Sequence, residues 1–426
     1  MSPATVNLQT GIGNAPAYDP DAPALLFCAD WAPVRAFRDP LLENPGSLYG
    51  AGIRRELASA TFRIVNVETT LLADPDAFSP VPKEGPAFAS PAEAVQDLRE
   101  AGFDLALLAN NHTSDFGPDG LVETRRVLED AGLAVCGVGT SQKDAYRGTS
   151  FHIGSTSVAI VNFQEGEEGT CTERNPGLAG WDLDRVCAEI EQLEKAGHRV
   201  IAVPHADKEY LPVPAPYAQA AYRRLVDAGA CAVISHHPHV PRGWEFSKGV
   251  PILYSQGNFL FWSGQPGLFR RLGYMVRLHF TESGACAFRL IPYQIRPEGL
   301  ELLDQQQRHW FLSHLSRVSG DALAPASTRS FWNAAIDAIP REAWLRDATG
   351  MEFTFKKMQE GDPLGIARLR TRLVSPSHFH FMIDGISRVL DGAHGTSPAE
   401  RMEILSLWDQ ASEAFPLLPQ ADDDCH

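Results

Sequence analysis

The chain has no Cys-x-x-Cys pair. Its seven cysteines, at positions 28, 136, 171, 187, 231, 286 and 425, are scattered singly. That excludes a small disulfide-stapled framework and leaves reduced thiols, several of them buried, as expected of a cytoplasmic protein. No apolar stretch approaches the length of a transmembrane helix. Met1–Pro23 holds no Lys or Arg and no continuous apolar run, so it reads as neither a signal peptide nor a membrane anchor. Basic residues are few: 37 Lys and Arg against 53 Asp and Glu, a net charge of -16. A long basic patch is not expected, and binding to a nucleic-acid backbone is disfavoured. No Gly-x-x-x-x-Gly-Lys loop occurs either, so ATP-driven ligation would need a partner protein.

What remains is an ordinary globular composition, 44% hydrophobic and 21% charged over 426 residues. Residues 1–23 read as an irregular arm. From 24 to 299 apolar strand-like runs alternate with helical periodicity, which indicates an α/β domain. Expected strands include Ala24–Cys28, Phe62–Val67, Leu105–Ala109, Val200–Pro204, Ala232–Ser235 and Pro251–Ser255. Tyr274–Thr281 and Ala285–Pro292 form a closing pair around Ser283-Gly284. Pro118–Gly132 starts on Pro and stops on Gly, as helices do. Ala73–Pro91 is a Pro-rich loop. Gln164–Gly180 is polar and Gly-rich, with Glu165, Glu167 and Glu168, and is a candidate lid or rim. Residues 300–426 change character to helices set apart by Pro and Gly, among them Gln305–Val318, Thr328–Ile339, Pro363–Leu373, His378–Leu390 and Pro398–Phe415. They are expected to pack on the first domain.

Chemistry concentrates where strands stop. Five apolar runs end in potential ligands: Asp30, Glu68, Asn111 with His112, His205, and His237 with His239. In an open α/β sheet such tips lie at the carboxyl edge, where ligands bind. Carboxylate, carboxamide and imidazole together suit one or two divalent ions of the Mn, Fe, Zn or Ni kind. Period two would point the rings of a His-x-His strand end the same way. A metal polarises the oxygen of an ester or amide and lowers the pKa of its water. A nearby His can protonate the leaving group. Asn66 and Asn110 read as amides bracing the backbone. Asp207 and Glu209 read as contacting a cationic substrate group or, the favoured reading, facing water. Ser255 and Asn258 read as lining the pocket or as needed only locally at the Gly257 turn. His152, His198, His279, His309, His314, His378, His380, His394 and His426 read as structural or solvated.

Several motifs together resemble the CapA (PgsA-like) capsule and poly-γ-glutamate synthesis family. They are Asn66-Val67-Glu68-Thr69-Thr70-Leu71, Ala109-Asn110-Asn111-His112-Thr113-Ser114-Asp115-Phe116-Gly117, Asp227-Ala228-Gly229-Ala230, His236-His237-Pro238-His239-Val240 and Tyr254-Ser255-Gln256-Gly257-Asn258-Phe259. The likeness runs in order from about residue 24 to 292. It implies a four-layer α/β/β/α sandwich of two mixed sheets, similar to calcineurin-like metallophosphoesterases, with the metal site at the strand ends. By that resemblance Asp30, Glu68, Asn111, His205, His237 and His239 are metal-site candidates, His112 is the acid/base and Asp115 its orienter. The sequence departs from the family at Ala29, where Gly is usual, and at Trp31-Ala32, where an Asp-x-His would place its ligand. It departs again at His205-Ala206-Asp207, where His-Trp-Gly is usual. Glu68 is the candidate to replace the lost ligand. The family's membrane anchor is absent from the sequence.

Three functions fit these residues. The first is a soluble metal-dependent hydrolase of a phosphoester or an amide bond, γ-glutamyl amides included, with a small-molecule or peptide substrate. The second is an accessory or amide-forming protein in poly-γ-glutamate-type or peptide synthesis. The third is a non-catalytic binding module on the same fold. The convergence of ligand-type residues favours the first. Oligomeric state is left open.

Overall fold

The computed structural model describes residues 5–13, 18–166, 169–262, 267–281, 286–348 and 350–406 of the chain. Glu167, Glu168, the Ser283-Gly284 turn, Cys425 and the end of the last expected helix lie outside the described residues.

Two mixed sheets carry the fold. The first contains β1 (Leu25–Ala32), β2 (Phe62–Val67), β3 (Leu105–Leu107) and β4 (Ala134–Cys136) in parallel succession. The second contains β5 (Thr149–Ile153), β6 (Thr156–Gln164), β7 (Arg199–His205), β8 (Ala232–Ile234), β9 (Trp244–Ser247) and β10 (Val250–Leu253), in the order β9-β10-β8-β7-β6-β5. The chain then returns to the first sheet with β11 (Asn258–Phe261), β12 (Leu272–Phe280), β13 (Cys286–Arg296) and β14 (Gly299–Leu302). There β12 pairs antiparallel with both β1 and β13.

Strand alternation builds the layers. Leu25 and Phe27 of β1 join Ile160 of β6 and Ile201 of β7 in the core between the sheets. Their neighbours Leu26 and Cys28 point outward, against Ile53 and Leu57 of α1 (Ala51–Ser59) and Leu98 of α2 (Val95–Glu100). Leu121 and Leu128 of α3 (Gly117–Asp130) join the same outer core. On the far side, Val161 and Ala202 meet Ile190 of α4 (Leu183–Lys195) and Tyr222 of α5 (Pro216–Asp227). The result is helix, sheet, sheet, helix. Because both faces of β1 are covered, all eight of its residues are buried, and its sequence reads as one apolar run instead of an alternation.

Sequence reasoning missed two connections. Lys248 (φ 53°) and Gly249 (φ 83°) make a tight turn that folds β9 back on β10. Gly257 (φ 78°) lets the chain step from β10 in one sheet to β11 in the other. A Cβ at Gly257 would sit 2.9 Å from the Leu272 carbonyl oxygen and in left-handed backbone, so Gly is required there.

The C-terminal helices include α6 (Gln305–Ser316), α7 (Pro325–Asp337), α8 (Met351–Gln359), α9 (Pro363–Val374), α10 (Pro376–Leu390) and α11 (Ala399–Ser406). Phe311, Leu315 and Phe331 enter the core between the sheets. Trp332 and Trp344 close over Ala215. Among the described residues, no helix is long and apolar enough to cross a membrane.

Candidate metal centre

The parallel strands β1 to β3 and β6 to β8 all point their carboxyl ends toward one place. At β1 the pairing to β2 shifts between Cys28 and Asp30. This bulge at Ala29 re-aims Asp30 inward, as bulges beside functional sites do. Asn66 of β2 then donates from Nδ2 to Asp30 Oδ1 at 2.9 Å. Glu68 follows one step beyond β2, and Asn111 lies beyond β3. His205 ends β7 and bridges to His236 after β8.

The six metal-site candidates form one buried cluster. His205 Nε2 lies 3.0 Å from Asn111 Oδ1, 3.1 Å from His237 Nδ1 and 3.5 Å from Glu68 Oε1. His239 Nε2 is 3.6 Å from the same Glu68 oxygen, and His239 Nδ1 is 3.7 Å from Asp30 Oδ2. Ligands held about 2.1 Å from one ion sit about 3.0 to 3.4 Å apart along the edges of an octahedron or tetrahedron. The spacing therefore suits coordination. Two overlapping groups each bring one ligand atom per residue within 4.8 Å of one another: Asp30, Glu68 and His205, and Glu68, His237 and His239. Glu68 belongs to both.

The electrostatics point the same way. Both oxygens of Glu68 and Oδ2 of Asp30 are buried without a hydrogen-bond partner. Burial, reinforced by Asp30, pushes the Glu68 pKa well up. Burial also opposes charge on Asp30, but His236, 3.2 Å away, and His239 outweigh it and lower that pKa. Two buried carboxylates with three oxygens that no donor satisfies are costly unless a cation neutralises them. Burial first, and neighbouring imidazoles next, hold His205 and His237 well below the usual histidine range. That favours the neutral ring, which can donate a lone pair. These residues fit a divalent ion.

From the sequence, the His237 and His239 rings are expected to converge by strand alternation; they converge by another route. β8 stops at Ile234, and His237 and His239 have φ of 99° and 56°. Left-handed backbone at non-glycine residues costs about 1–3 kcal/mol each. That cost is held in place here by the surrounding contacts. Asn258 Oδ1 fixes His239 Nδ1 at 2.8 Å, so Asn258 does more than shape the Gly257 turn.

His112 lies at the edge of the cluster, its ring stacked on Phe88 at 4.2 Å. Asp115 Oδ2 accepts a hydrogen bond from His112 Nδ1 at 2.7 Å. The other Asp115 oxygen binds Lys83 Nζ at 2.5 Å, and Lys83 also donates to the Asn111 carbonyl at 2.7 Å. Burial and then Lys83 lower the His112 pKa against the pull of Asp115. Asn110 does brace the backbone: its Oδ1 accepts from the amides of His112 and Thr113.

A cavity of about 450 Å³ opens in front of this cluster. Lys83, Arg35, Glu209, Tyr210, Arg270 and His378 are among its lining residues, and of these the sequence singles out only Glu209 as a possible substrate contact. Asp207 does not face water. It is fully buried against Arg242, whose Nε also donates to the Leu211 carbonyl at 2.7 Å. Nor is Glu165 a rim residue. It is buried, accepts from Ser375 and Ser377 at the start of α10, and reaches within 3.8 Å of His237 Nε2.

His378 is likewise no bystander. Burial, then Lys208, Arg372 and Arg368, push its pKa down to about 2. A histidine neutral when folded but protonated near pH 6.5 when unfolded makes the unfolded state bind more protons below that pH. Stability should therefore fall as pH drops from 7 to 5, and fall less in His378→Gln. Melting curves across that range test this; equal slopes for the two proteins would remove His378 from the effect.

Residues 24–263, more than half of the chain, match the family described as bacterial capsule synthesis protein PGA_cap. The chain belongs to the PGA_cap family. A capsule biosynthesis protein CapA from Bacillus anthracis is 30% identical over 210 residues, covering 48% of this chain and 51% of that protein. A probable polyglutamine synthesis accessory protein of Mycobacterium tuberculosis (strain ATCC 25618 / H37Rv) is 28% identical over 275 residues, 60% of this chain and 72% of that protein. This PGA_cap chain thus spans about half the length of the Bacillus relative. A putative 5'-nucleotidase from Staphylococcus aureus, solved with alpha-ketoglutarate, overlays at a TM-score of 0.41 with 13% identity, over 68% of this chain and 58% of that one. The layering of the PGA_cap chain stands on its own strands and cores.

Proposed function

We propose that this PGA_cap protein is a metal-dependent hydrolase of a phosphoester or an amide bond, γ-glutamyl amides included. One observation carries the reading: Glu68 presents two unpartnered oxygens inside a ring of Asp30, Asn111, His205, His237 and His239. One or two ions of the Mn, Fe, Zn or Ni kind suit these donors. When bound, such an ion would polarise the substrate oxygen and make water a better nucleophile. Asp115 holds His112 by Nδ1, which leaves Nε2 to exchange a proton with a group in the cavity. Lys83 keeps Asp115 charged and so keeps the ring fixed. Phe88 packs the ring face against rotation. Arg35, Lys83 and Arg270 share the cavity wall with Glu84 and Glu209, charges of both signs that suit a peptide-like substrate carrying both.

The test is turnover of phosphoester and γ-glutamyl amide panels by metal-loaded protein. His112→Ala should lower kcat at least about hundredfold with metal content unchanged. Unchanged turnover would remove His112 from the chemistry. The relatives' descriptions favour a second reading, an accessory or amide-forming role in synthesis of a glutamate polymer. Hydrolysis by the isolated chain would count against it.

A further inference from the structure

A second cavity, of about 740 Å³, lies on the outer face of the first sheet, lined by α1, β12, β13, α6 and the N-terminal arm. It has no residue in common with the metal centre. Arg277, one of its walls, pairs with Leu26 at the start of β1, whereas Asp30 lies toward the other end of that strand. Four arginines line it, Arg55, Arg277, Arg289 and Arg308, with Glu56 as the one carboxylate. In a chain of net charge -16 this is a concentrated reversal of sign.

Part of the cluster has a structural explanation. Arg277 and Arg289 sit directly opposite each other on β12 and β13. Like charges in that position repel. Glu56 relieves the repulsion by accepting from both, at 3.2 Å and 2.8 Å. The same contacts fasten α1 to the sheet. One carboxylate answers two guanidiniums; Arg55, which is exposed, and Arg308 make no ion pair among the described residues. The Nε atoms of Arg277, Arg289 and Arg308 are buried without partners, and Arg277 is only 6% exposed. Buried N–H donors without acceptors are costly, and guanidinium forks match oxyanions in two-point contacts.

We propose that this cavity binds a small, multiply charged oxyanion through Arg55 and Arg308, with Arg277 and Arg289 adding positive charge behind them. Closely spaced phosphates and a polycarboxylate share that chemistry.

Calorimetric titration of the full chain tests it, after metal is stripped and the chelator removed by gel filtration. Pyrophosphate and citrate are the probes, in low-salt buffer. At least one should bind with a micromolar dissociation constant, and the tighter of the two names the ligand as phosphate or carboxylate. Arg55→Gln and Arg308→Gln, on residues that make no ion pairs, should each weaken binding about tenfold. His237→Ala should leave binding intact. If neither anion binds, or the double variant R55Q/R308Q binds as well as the parent, the arginines are only a clamp for α1 and the proposal fails. Loss of binding in His237→Ala would move the anion to the metal centre and overturn it equally.

Discussion

On the proposed metal reading, Glu68→Gln should abolish binding of a divalent ion and, in the same stroke, make the metal-free form melt higher. The two effects have opposite signs and one cause. Glu68 is a buried carboxylate whose oxygens have no donor of their own, next to Asp30 and between two groups of nitrogen and oxygen ligands. With an ion present that charge is neutralised, and binding stabilises the fold by about 2.7 kcal/mol at a hundredfold excess over Kd. Without an ion, an amide that carries no charge is easier to bury than a carboxylate. Metal content by elemental analysis, and melting temperature with and without Mn or Zn, check both halves. A variant that keeps its metal and its metal-induced shift would show that Glu68 is not a ligand.

Arg242→Ala should destabilise the fold by about 3–5 kcal/mol, because it strands a buried charge. Arg242 and Asp207 are both fully buried and paired. Asp207 holds φ at 96° and receives the amides of Lys208 and Ala215. Arg242 also caps the carbonyls of Lys208 and Leu211. Together they fix the turn that carries Glu209 and Tyr210 to the cavity wall. Removing the guanidinium leaves Asp207, whose pKa burial already raises against the pull of Arg242, with backbone donors alone. Urea denaturation measures the loss, and Asp207→Asn in the Arg242→Ala background should recover part of it. A loss under about 1 kcal/mol would mean the turn is held by something other than this pair.

The candidate ligands were legible because each one breaks a local pattern. An apolar run that stops on Asn111-His112 or on His205 is visible in a dozen residues, and strand ends of parallel sheets converge by topology. Lys83, Glu165 and Arg242 were not legible. Lys83 sits in a Pro-rich loop 32 residues from Asp115. Glu165 meets Ser375 across 210 positions. Such partners are brought together only by the packed fold, and nothing local marks them. The return of the chain into the first sheet at β11 was hidden for a similar reason. Four residues bounded by Gly257 carry too little periodicity to announce which sheet they join. His237 and His239 teach a narrower lesson. Their rings do converge, but through left-handed backbone around Pro238 and not through strand alternation.

The family match ends at residue 263, yet β12, which begins at Leu272, lies between β1 and β13 in the sheet that presents Asp30. Ser375 and Ser377, far past that limit, hold the carboxylate behind His237. The span that inheritance recognises as one piece is therefore not a piece that could be lifted out. The border drawn by ancestry runs through the middle of the architecture, and what lies beyond it is part of the wall.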